Sequence, residues 1–363
     1  MNGNSLPVMK EMLETPALVI DLDVLERNIR RMASYMENRR AALRPHFKTY
    51  KCPTISHKQI AAGAKGITCA KLSEAEVLVA AGIDDVLIAN QVVEPGKINR
   101  LAALANGHAK MAVAVDNESN VEDLSRAADS YGSILHVLVE VDVGMGRCGI
   151  DTKEEALRLA QRISRAKGLE FEGIQAYEGH LQFVPDIEER RRGVEAVVEK
   201  VASIKAHLES RGFYVKEISG AGTGTYNLTG DNTIWTEIQA GSYVFMDTTY
   251  DKIGLEFESS LSVLATVIHK RPAFAVCDAG MKACSVDRGP PEIKGFPRCT
   301  IRRRLAEEHG VIADPEDELG YLQKIEYVPS HCCTTVNLHD RYFCVRNGKL
   351  EAVWPISGRG KSR

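Results

Sequence analysis

Residues 134–149 read ILHVLVEVDVGMGRCG, a largely apolar, β-branched run that ends in a short glycine-rich polar segment. Such a run is typical of a strand buried on both faces of a parallel sheet, because its side chains meet apolar neighbours on either side. Polar residues directly after it, Arg147 among them, predict a functional edge where the strands of that sheet end.

Seven further runs of this kind flank it, and they alternate with longer segments that have helical periodicity. The eight predicted strands span residues 43–48, 66–71, 85–90, 110–116, 134–143, 171–178, 215–221 and 237–245. The predicted helices include residues 25–39, 54–62, 73–81, 94–104, 117–131, 153–165 and 187–210, the third of them opening with a capping box at 73–76. Eight strand–helix units fit a (β/α)8 barrel, and a doubly wound open sheet is the alternative.

The two ends of the chain follow a different pattern. A strand-like run at 17–21 precedes the barrel, and after residue 250 the runs at 259–270, 273–277, 322–328, 342–346 and 349–354 predict antiparallel strands. Asn347-Gly348 between the last two is a strong hairpin signal. We therefore expect an α/β fold in which a barrel at residues 24–255 is joined to a β-domain at residues 256–363 and 1–23.

Composition narrows the class of protein. The chain has 363 residues, 44% of them hydrophobic, and a formal net charge of −3, so nothing indicates a nucleic-acid or membrane partner. No apolar run approaches the roughly 20 residues of a membrane span, and no secretory signal is evident. Nine scattered cysteines are typical of reduced thiols, and we expect a cytoplasmic protein.

The segment GAGTGTY at 220–226 carries the best signal for a phosphate site. Small residues let backbone amides approach an anion, and the hydroxyls of Thr223 and Thr225 can donate to it. Barrels often hold a phosphate at the loops after strands 7 and 8, so Gly241-Ser242 would supply the other half. The alternative is an ordinary glycine turn.

Lys48 follows Arg44 and His46 and precedes Lys51, all near the end of the first barrel strand. Cationic neighbours favour a neutral amine, which can form a Schiff base. An activated lysine beside a phosphate site indicates pyridoxal phosphate. Arg147 would then face the pyridine nitrogen and Tyr177 would pack against the ring, unless Arg147 only forms a salt bridge at the barrel rim.

His331-x-Cys333, in the β-rich tail, is a candidate metal pair. Two protein ligands leave coordination positions open, which suits a catalytic ion, although a lone His-x-Cys often binds nothing. Asp287, in SVDRG at 285–289, would lie near the substrate or belong to a simple turn.

These residues carry a family resemblance over nearly the whole chain. The motifs are RPHFKTYK (44–51), KLSEAE (71–76), VDVGMGRCG (141–149), GIQAYEG (173–179), GAGTGTY (220–226), EIQAGSYVFMD (237–247), EEHG (307–310) and HCCTTVNLHD (331–340). They resemble the D-threonine aldolase group, with its D-3-hydroxyaspartate aldolases, within the fold-type III pyridoxal-phosphate enzymes that share the alanine-racemase barrel. D-serine dehydratases are relatives of this group.

The resemblance implies a Schiff-base role for Lys48, a position near the cofactor ring for Arg147 and Tyr177, and a metal on the HCC segment. It implies phosphate binding by the segments containing Thr223, Gly224, Thr225, Gly241, Ser242 and Tyr243. A homodimer and a small D-3-hydroxy-amino-acid substrate are expected as well.

Two departures from the family pattern bear on the reaction. The aldolases usually have His-x-Asp where this chain has His331-x-Cys333, the pair used by D-serine dehydratases. They also have a histidine after the strand-6 motif where this chain has Phe183, so the candidate base is His180, three residues earlier, or a metal-bound water.

The leading expectation is a lyase that performs retro-aldol cleavage to glycine and an aldehyde, with Mn²⁺, Mg²⁺ or Co²⁺. Zn²⁺ is plausible because Cys333 offers a soft thiolate. The alternative is a dehydratase of D-serine or D-threo-3-hydroxyaspartate, which releases a keto acid and ammonia. A cofactor-binding homeostasis protein would resemble the barrel alone, and the β-rich tail argues against it.

Overall fold

The computed structural model describes residues 7–107 and 109–363. Within it the chain forms two compact units. The barrel unit comprises residues 32–48, 53–241 and 361–363, and the β-unit comprises residues 7–31, 49–52 and 242–360. The domain boundaries expected from the sequence, 24–255 against 1–23 with 256–363, stay a prediction.

The secondary structure begins with β1 (Ala17–Asp21) and α1 (Leu22–Met36). The barrel strands are β2 (Ala42–Leu43), β3 (Ile67–Cys69), β4 (Asp85–Ile88), β5 (Lys110–Val115), β6 (Leu135–Glu140), β7 (Leu169–Ala176), β8 (Glu217–Gly220) and β9 (Glu237–Ile238). The helices between them are α2 (Pro53–Ala61), α3 (Leu72–Ala80), α4 (Pro95–Ala105), α5 (Glu118–Tyr131), α6 (Lys153–Arg165), α7 (Ile187–Ser210) and α8 (Tyr226–Thr229). Each predicted strand and helix therefore has a counterpart, although most of the strands are shorter than expected.

The eight strands are all parallel and pair in the order β2-β9-β8-β7-β6-β5-β4-β3. A bridge between His46 and Thr68, with the Thr68 amide donating to the Pro45 carbonyl at 2.9 Å, joins the two ends of this sheet. A doubly wound sheet would reverse strand order partway across, whereas this order is cyclic. The prediction of a (β/α)8 barrel with a separate β-domain is confirmed.

Helix caps explain several of the element boundaries. At α6, Thr152 accepts from the Glu155 amide while Glu155 accepts from the Thr152 amide, which is a capping box. The capping box predicted at 73–76 is wrong: α3 starts one residue earlier, and Glu74 receives the Lys71 amide at 3.2 Å. Ser73 instead hydrogen-bonds the backbone of Arg363, and Glu76 pairs with Arg100 on the surface.

The β-unit contains a nine-stranded sheet built around β1 and β10 (Leu261–Arg271). Its other elements are α9 (Thr248–Asp251), β11 (Phe274–Cys277), β12 (Glu292–Ile293), β13 (Thr300–Ile301), β14 (Gly310–Ala313), β15 (Lys324–Val328), α10 (Cys332–Val336), β16 (Arg341–Arg346) and β17 (Lys349–Pro355). The sequence did not indicate β12, β13, β14 or α10. The sheet is antiparallel except that β1 runs parallel to β16, and the N-terminal strand completes it as expected.

The hairpin between β16 and β17 forms as predicted. Asn347 and Gly348 have φ values of 49° and 74°, and both lie in the left-handed region that a two-residue type I′ turn requires. Within the described residues, no helix combines the length and the apolar character needed to cross a membrane.

Candidate active site

A cavity of about 300 Å³ opens at the carboxyl ends of the barrel strands. Its walls belong entirely to the barrel unit and are His46, Lys48, Ala70, Lys71, Ala89, Asn90, Arg147, Cys148, Gln175, Tyr177 and Gln239. Three of the predicted site residues, Lys48, Arg147 and Tyr177, therefore share one cavity. Its size falls within the range of small-molecule pockets.

Lys48 lies in a single 3₁₀ turn, Phe47–Thr49, that follows β2. Its Nζ lies 5.3 Å from the centroid of the Tyr177 ring. Among the described residues, no carboxylate pairs with this amine; its own amide donates to His46 Nδ1 at 3.4 Å. A half-buried amine that faces a cavity without a counter-ion is suited to covalent attachment of a carbonyl compound.

The cationic crowding expected around Lys48 needs correction for Arg44. The guanidinium of Arg44 is buried and binds Asp85 at 2.7 Å and Glu237 at 2.8 Å. These carboxylates open β4 and β9, so they sit at the amino ends of strands, away from the end where the cavity opens. Arg44 therefore lies at the end of the barrel opposite the cavity, where Asp85 and Glu237 balance its charge.

Arg147 lines the cavity and also approaches a buried acid. Its Cζ lies 6.0 Å from the Tyr177 ring, and its Nη2 lies 3.9 Å from Glu140 Oε1. Burial raises the pKa of Glu140, which also accepts from Gln91 at 2.5 Å. The contact with Glu140 agrees with the rim salt bridge, and the role of Arg147 beside the cofactor ring stays a prediction.

The loop after β8 is organised by Glu178, the residue that follows Tyr177. Glu178 is buried, and it accepts from Thr225 Oγ1 at 2.7 Å and from the Ala221 amide at 3.1 Å. Burial raises its pKa. The Glu178 carboxyl therefore fixes the backbone of the loop that was predicted to bind phosphate.

Gln182 holds the same loop from the other side. Its Oε1 accepts from the Gly224 amide at 2.8 Å, and its Nε2 donates to Thr225 Oγ1 at 3.0 Å. Thr225 and the Gly224 amide are thus already bonded within the protein, and Thr223 is buried. The signal that could have indicated this network is the pair of amide-binding side chains, Glu178 and Gln182, placed just after β7.

We expect Gly224→Ala to weaken binding of pyridoxal phosphate by about tenfold or more. A Cβ at Gly224 would collide with the backbone of Gln182, and such overpacking costs about 1–3 kcal/mol. The measurement is cofactor affinity by fluorescence titration. Gly107→Ala is the control, because a Cβ there meets only the Leu104 carbonyl at an ordinary 3.4 Å. Equal affinity in the two variants would show that the loop does not position the cofactor.

The second predicted phosphate segment crosses the boundary between the units. Gly241 ends a stretch of the barrel unit, and Ser242 and Tyr243 begin the next stretch of the β-unit. Tyr243 is fully buried, and its ring packs against Phe257 at 5.4 Å. Ser242 Oγ lies 3.9 Å from Cys333 Sγ.

His180, the candidate base, is exposed in the 3₁₀ turn Gly179–Leu181. Its Cε1 lies 2.9 Å from the position a Cβ would occupy at Gly144, so the ring packs on the loop after β6. Asp142 organises that loop by accepting from the amides of Gly144 and Met145 at 2.9 and 2.8 Å. His180 does not belong to the cavity wall given above, and its role stays a prediction.

The predicted metal pair lies in the β-unit, where His331 precedes α10 and Cys333 is inside it. His331 Nδ1 lies 2.6 Å from Asp287 Oδ2, and Cys333 Sγ lies 3.5 Å from the hydroxyl of Thr49, the residue after Lys48 in the chain. Burial opposes charging of His331, but hydrogen bonds to Cys333 and Asp287 raise its pKa to about 9. Hydrogen bonds from Cys332 and His331 hold the pKa of Cys333 well below its usual value.

This donor set fits a divalent ion. A thiolate and an imidazole are zinc ligands, and a metal-binding histidine usually gives its other ring nitrogen to a carboxylate, as His331 does with Asp287. Asp247 is buried and fixes the segment by accepting from the Cys332 amide at 3.0 Å. The barrel cavity likewise fits pyridoxal phosphate, since it presents the Lys48 amine, which has no carboxylate partner within residues 7–107 and 109–363, beside the Tyr177 ring.

A second group of metal-type donors within the described residues is Cys299, Asp314 and Glu318. Its central member, Asp314, already accepts from Cys299 and from the amides of Glu318 and Leu319, and it forms an ion pair with Lys270. These hydrogen bonds and this ion pair explain why the three side chains lie together, and we interpret the group as structural.

The fold and the barrel cavity define a class, the alanine-racemase-like enzymes. A family model for the alanine racemase N-terminal domain matches residues 20–249, and a model for a putative serine dehydratase domain matches residues 260–345. A 3-hydroxy-D-aspartate aldolase of Paracoccus denitrificans (strain Pd 1222) is 42% identical over 98% of this chain and 95% of its own length. The chain belongs to the family of D-threonine and 3-hydroxy-D-aspartate aldolases.

Structural comparison agrees with this assignment. A D-threonine aldolase from Filomicrobium marinum superposes with a TM-score of 0.96 at 38% identity, covering 99% of each chain. A D-threo-3-hydroxyaspartate dehydratase of Delftia sp. (strain HT23) is more distant, at 30% identity over 89% of this chain and 92% of its own. The predictions of this family and of an aldolase-type lyase are confirmed.

Proposed function

We propose that this protein cleaves D-3-hydroxy-amino acids between Cα and Cβ, giving glycine and an aldehyde, with pyridoxal phosphate and a divalent metal. The observation that carries the proposal is the Lys48 amine, which faces the cavity 5.3 Å from the Tyr177 ring and pairs with no carboxylate in the part of the chain that the structure describes. The chain is similar to the aldolases over nearly its whole length, at 42% and 38% sequence identity. This similarity favours aldol cleavage over the other reactions catalysed by enzymes of the class.

Each group has a role in this proposal. Pyridoxal phosphate, when bound, supplies a conjugated ring that accepts the electron pair of the broken bond. Lys48 holds that cofactor covalently and carries a proton at Nζ, while Tyr177 packs on the ring and Arg147 lies beside it. Backbone groups of the Gly220–Tyr226 and Gly241–Tyr243 loops bind the phosphate.

His331 and Cys333 would hold the metal, which supplies Lewis-acid polarisation of the substrate hydroxyl. Mn²⁺, Mg²⁺ and Co²⁺ are candidates, and the Cys333 thiolate favours Zn²⁺. His180 is proposed to accept the hydroxyl proton in place of the histidine that Phe183 replaces. We also propose a homodimer, which sedimentation velocity would test.

Stereospecific cleavage tests the proposal. Purified protein with pyridoxal phosphate and Mn²⁺ or Zn²⁺ should convert D-threonine, but not L-threonine, to equal amounts of glycine and acetaldehyde. EDTA should stop the reaction. No glycine from D-threonine, D-phenylserine or D-3-hydroxyaspartate would refute the proposed function.

Metal preference gives a second test. Cys333→Asp should retain metal binding, because a carboxylate can replace the thiolate, but its preference should shift from Zn²⁺ towards Mn²⁺ by about tenfold or more, since soft thiolates favour zinc. The measurement is competitive metal loading followed by elemental analysis. Cys344→Ala, at a buried cysteine of β16, is the control. An unchanged Zn²⁺/Mn²⁺ ratio in Cys333→Asp would show that Cys333 is not a ligand.

Dehydration of the substrate is a second candidate function. The specific observation in its favour is Cys333 itself, a thiol where the aldolases usually have aspartate. Release of ammonia and a keto acid separates it from cleavage.

A further inference from the structure

Asp287 has both carboxylate oxygens engaged, although its side chain is partly exposed. Oδ2 lies 2.6 Å from His331 Nδ1, while Oδ1 accepts from Ser285 Oγ at 2.7 Å and from Thr334 Oγ1 at 2.8 Å. The two hydroxyls therefore fix the carboxylate in one orientation. One belongs to Ser285, in the segment that carries Asp287, and the other to Thr334, in the segment that carries His331.

The turn that carries Asp287 is itself anchored beside the HCC segment. The Gly289 amide donates to the Val286 carbonyl at 3.1 Å, and Ser330 Oγ donates to the Gly289 carbonyl at 2.6 Å. Ser330 immediately precedes His331, and Thr334 follows it by one helical turn. The carboxylate and the imidazole are thus held by the same short stretch of backbone.

This contact decides which nitrogen of His331 is available. An acceptor at Nδ1 keeps the proton on that nitrogen, which leaves Nε2 with its lone pair for a metal. Cys333 lies two residues after His331, in the first turn of α10. Since Nδ1 is engaged by Asp287, Nε2 is the nitrogen left to act with the Cys333 sulfur.

We propose that Asp287 is a positioning residue of the metal centre: it fixes the orientation and the tautomer of the His331 ring so that Nε2 and Cys333 Sγ bind one divalent ion. This inference rests on the proposed metal-dependent function. It adds to the two interpretations that the sequence offered, of which the turn is present and substrate contact stays a prediction. Ser285 and Thr334 support it by holding Asp287.

The test is Zn²⁺ and Co²⁺ affinity of the full-length protein carrying pyridoxal phosphate, measured by titration against a chromophoric chelator. Asp287→Ala should weaken both metals by about 10–100-fold, the usual effect of losing such a partner. Asp287→Asn keeps an acceptor oxygen and should lose less. The absorption bands of bound Co²⁺ should change in Asp287→Ala, because the imidazole is no longer fixed, whereas a merely structural role would leave them unchanged.

Asp340→Asn is the matched control, since Asp340 pairs with the exposed Arg359 elsewhere in the β-unit. The thermal midpoint of each metal-free variant checks folding, and Ser285→Ala combined with Thr334→Val gives an independent, milder route to the same loss of affinity. Wild-type affinity and an unaltered Co²⁺ spectrum in Asp287→Ala would overturn the positioning role and leave the proposed function standing. A wild-type protein that binds neither metal would overturn both, whereas metal binding without cleavage would overturn the proposed function alone.

Discussion

Replacing Lys48 by alanine is expected to abolish cleavage, with a loss in kcat of about 10⁴-fold or more. The amine is the group that attaches the cofactor covalently, and within the cavity it is positioned 5.3 Å from Tyr177. Borohydride reduction of the wild-type protein with pyridoxal phosphate, followed by peptide mass spectrometry, should place the added mass on Lys48. The Lys48→Ala protein should show neither this peptide nor the absorbance of a lysine-bound cofactor.

The chain offers a matched control in the same cavity. Lys71 also lines it but is exposed at the start of α3. Lys71→Ala should keep the modified Lys48 peptide and most of the activity. Modification of Lys71 in the wild-type protein, or full activity in Lys48→Ala, would contradict the assignment of Lys48.

Glu237→Gln is expected to lower the free energy of unfolding by about 3 kcal/mol, because breaking a buried ion pair leaves its partner charge uncompensated. Glu237 and Arg44 are both buried and lie 2.8 Å apart, and Lys65 lies 2.8 Å from the same carboxylate. Burial opposes ionisation of Glu237, but Arg44 and Lys65 outweigh it and hold its pKa at about 2. Urea unfolding monitored by circular dichroism gives the measurement.

The pH dependence of this difference has a definite sign. A carboxyl with a depressed pKa in the folded state stabilises the protein fully above its unfolded value of 4.5, and that stabilisation is lost as the pH falls towards 2. The difference in free energy of unfolding between wild type and Glu237→Gln should therefore be constant near neutral pH and should decrease in acid. Glu76→Gln, in the exposed pair with Arg100, should change stability by less than about 1 kcal/mol. A similarly small effect at Glu237 would show that the buried pair does not stabilise the barrel.

The alternation of apolar and amphipathic runs was sufficient to predict the barrel, because parallel strands covered on both faces have a distinctive composition. The structure shortens the first strand to Ala42–Leu43, and this is why Arg44 was misplaced. A strand through residue 48 would put Arg44, His46 and Lys48 on one face, whereas the regular strand ends at Leu43 and Lys48 lies in a 3₁₀ turn at Phe47–Thr49. The three short strands β12, β13 and β14 escaped notice because two to four residues carry no measurable period.

The candidate site was predicted where the evidence was local in sequence. Lys48, Arg147 and Tyr177 each follow a strand, and strand ends in a barrel converge by geometry. Glu178 and Gln182 were missed as organisers of the Gly220–Tyr226 loop because their partners lie about 45 residues away. Asp287 was left undecided for the same reason: its contact with His331 spans 44 residues and depends on the folded β-unit.

Carbon–carbon cleavage and dehydration of D-threo-3-hydroxyaspartate give different products, so this substrate distinguishes the two reactions. The protein, loaded with pyridoxal phosphate and Zn²⁺ or Mn²⁺, is incubated with this substrate, and glycine and ammonia are quantified in one sample by proton NMR and an enzymatic ammonia assay. We expect one glycine per substrate consumed and ammonia at background. Stoichiometric ammonia without glycine would contradict this expectation and establish the dehydratase instead.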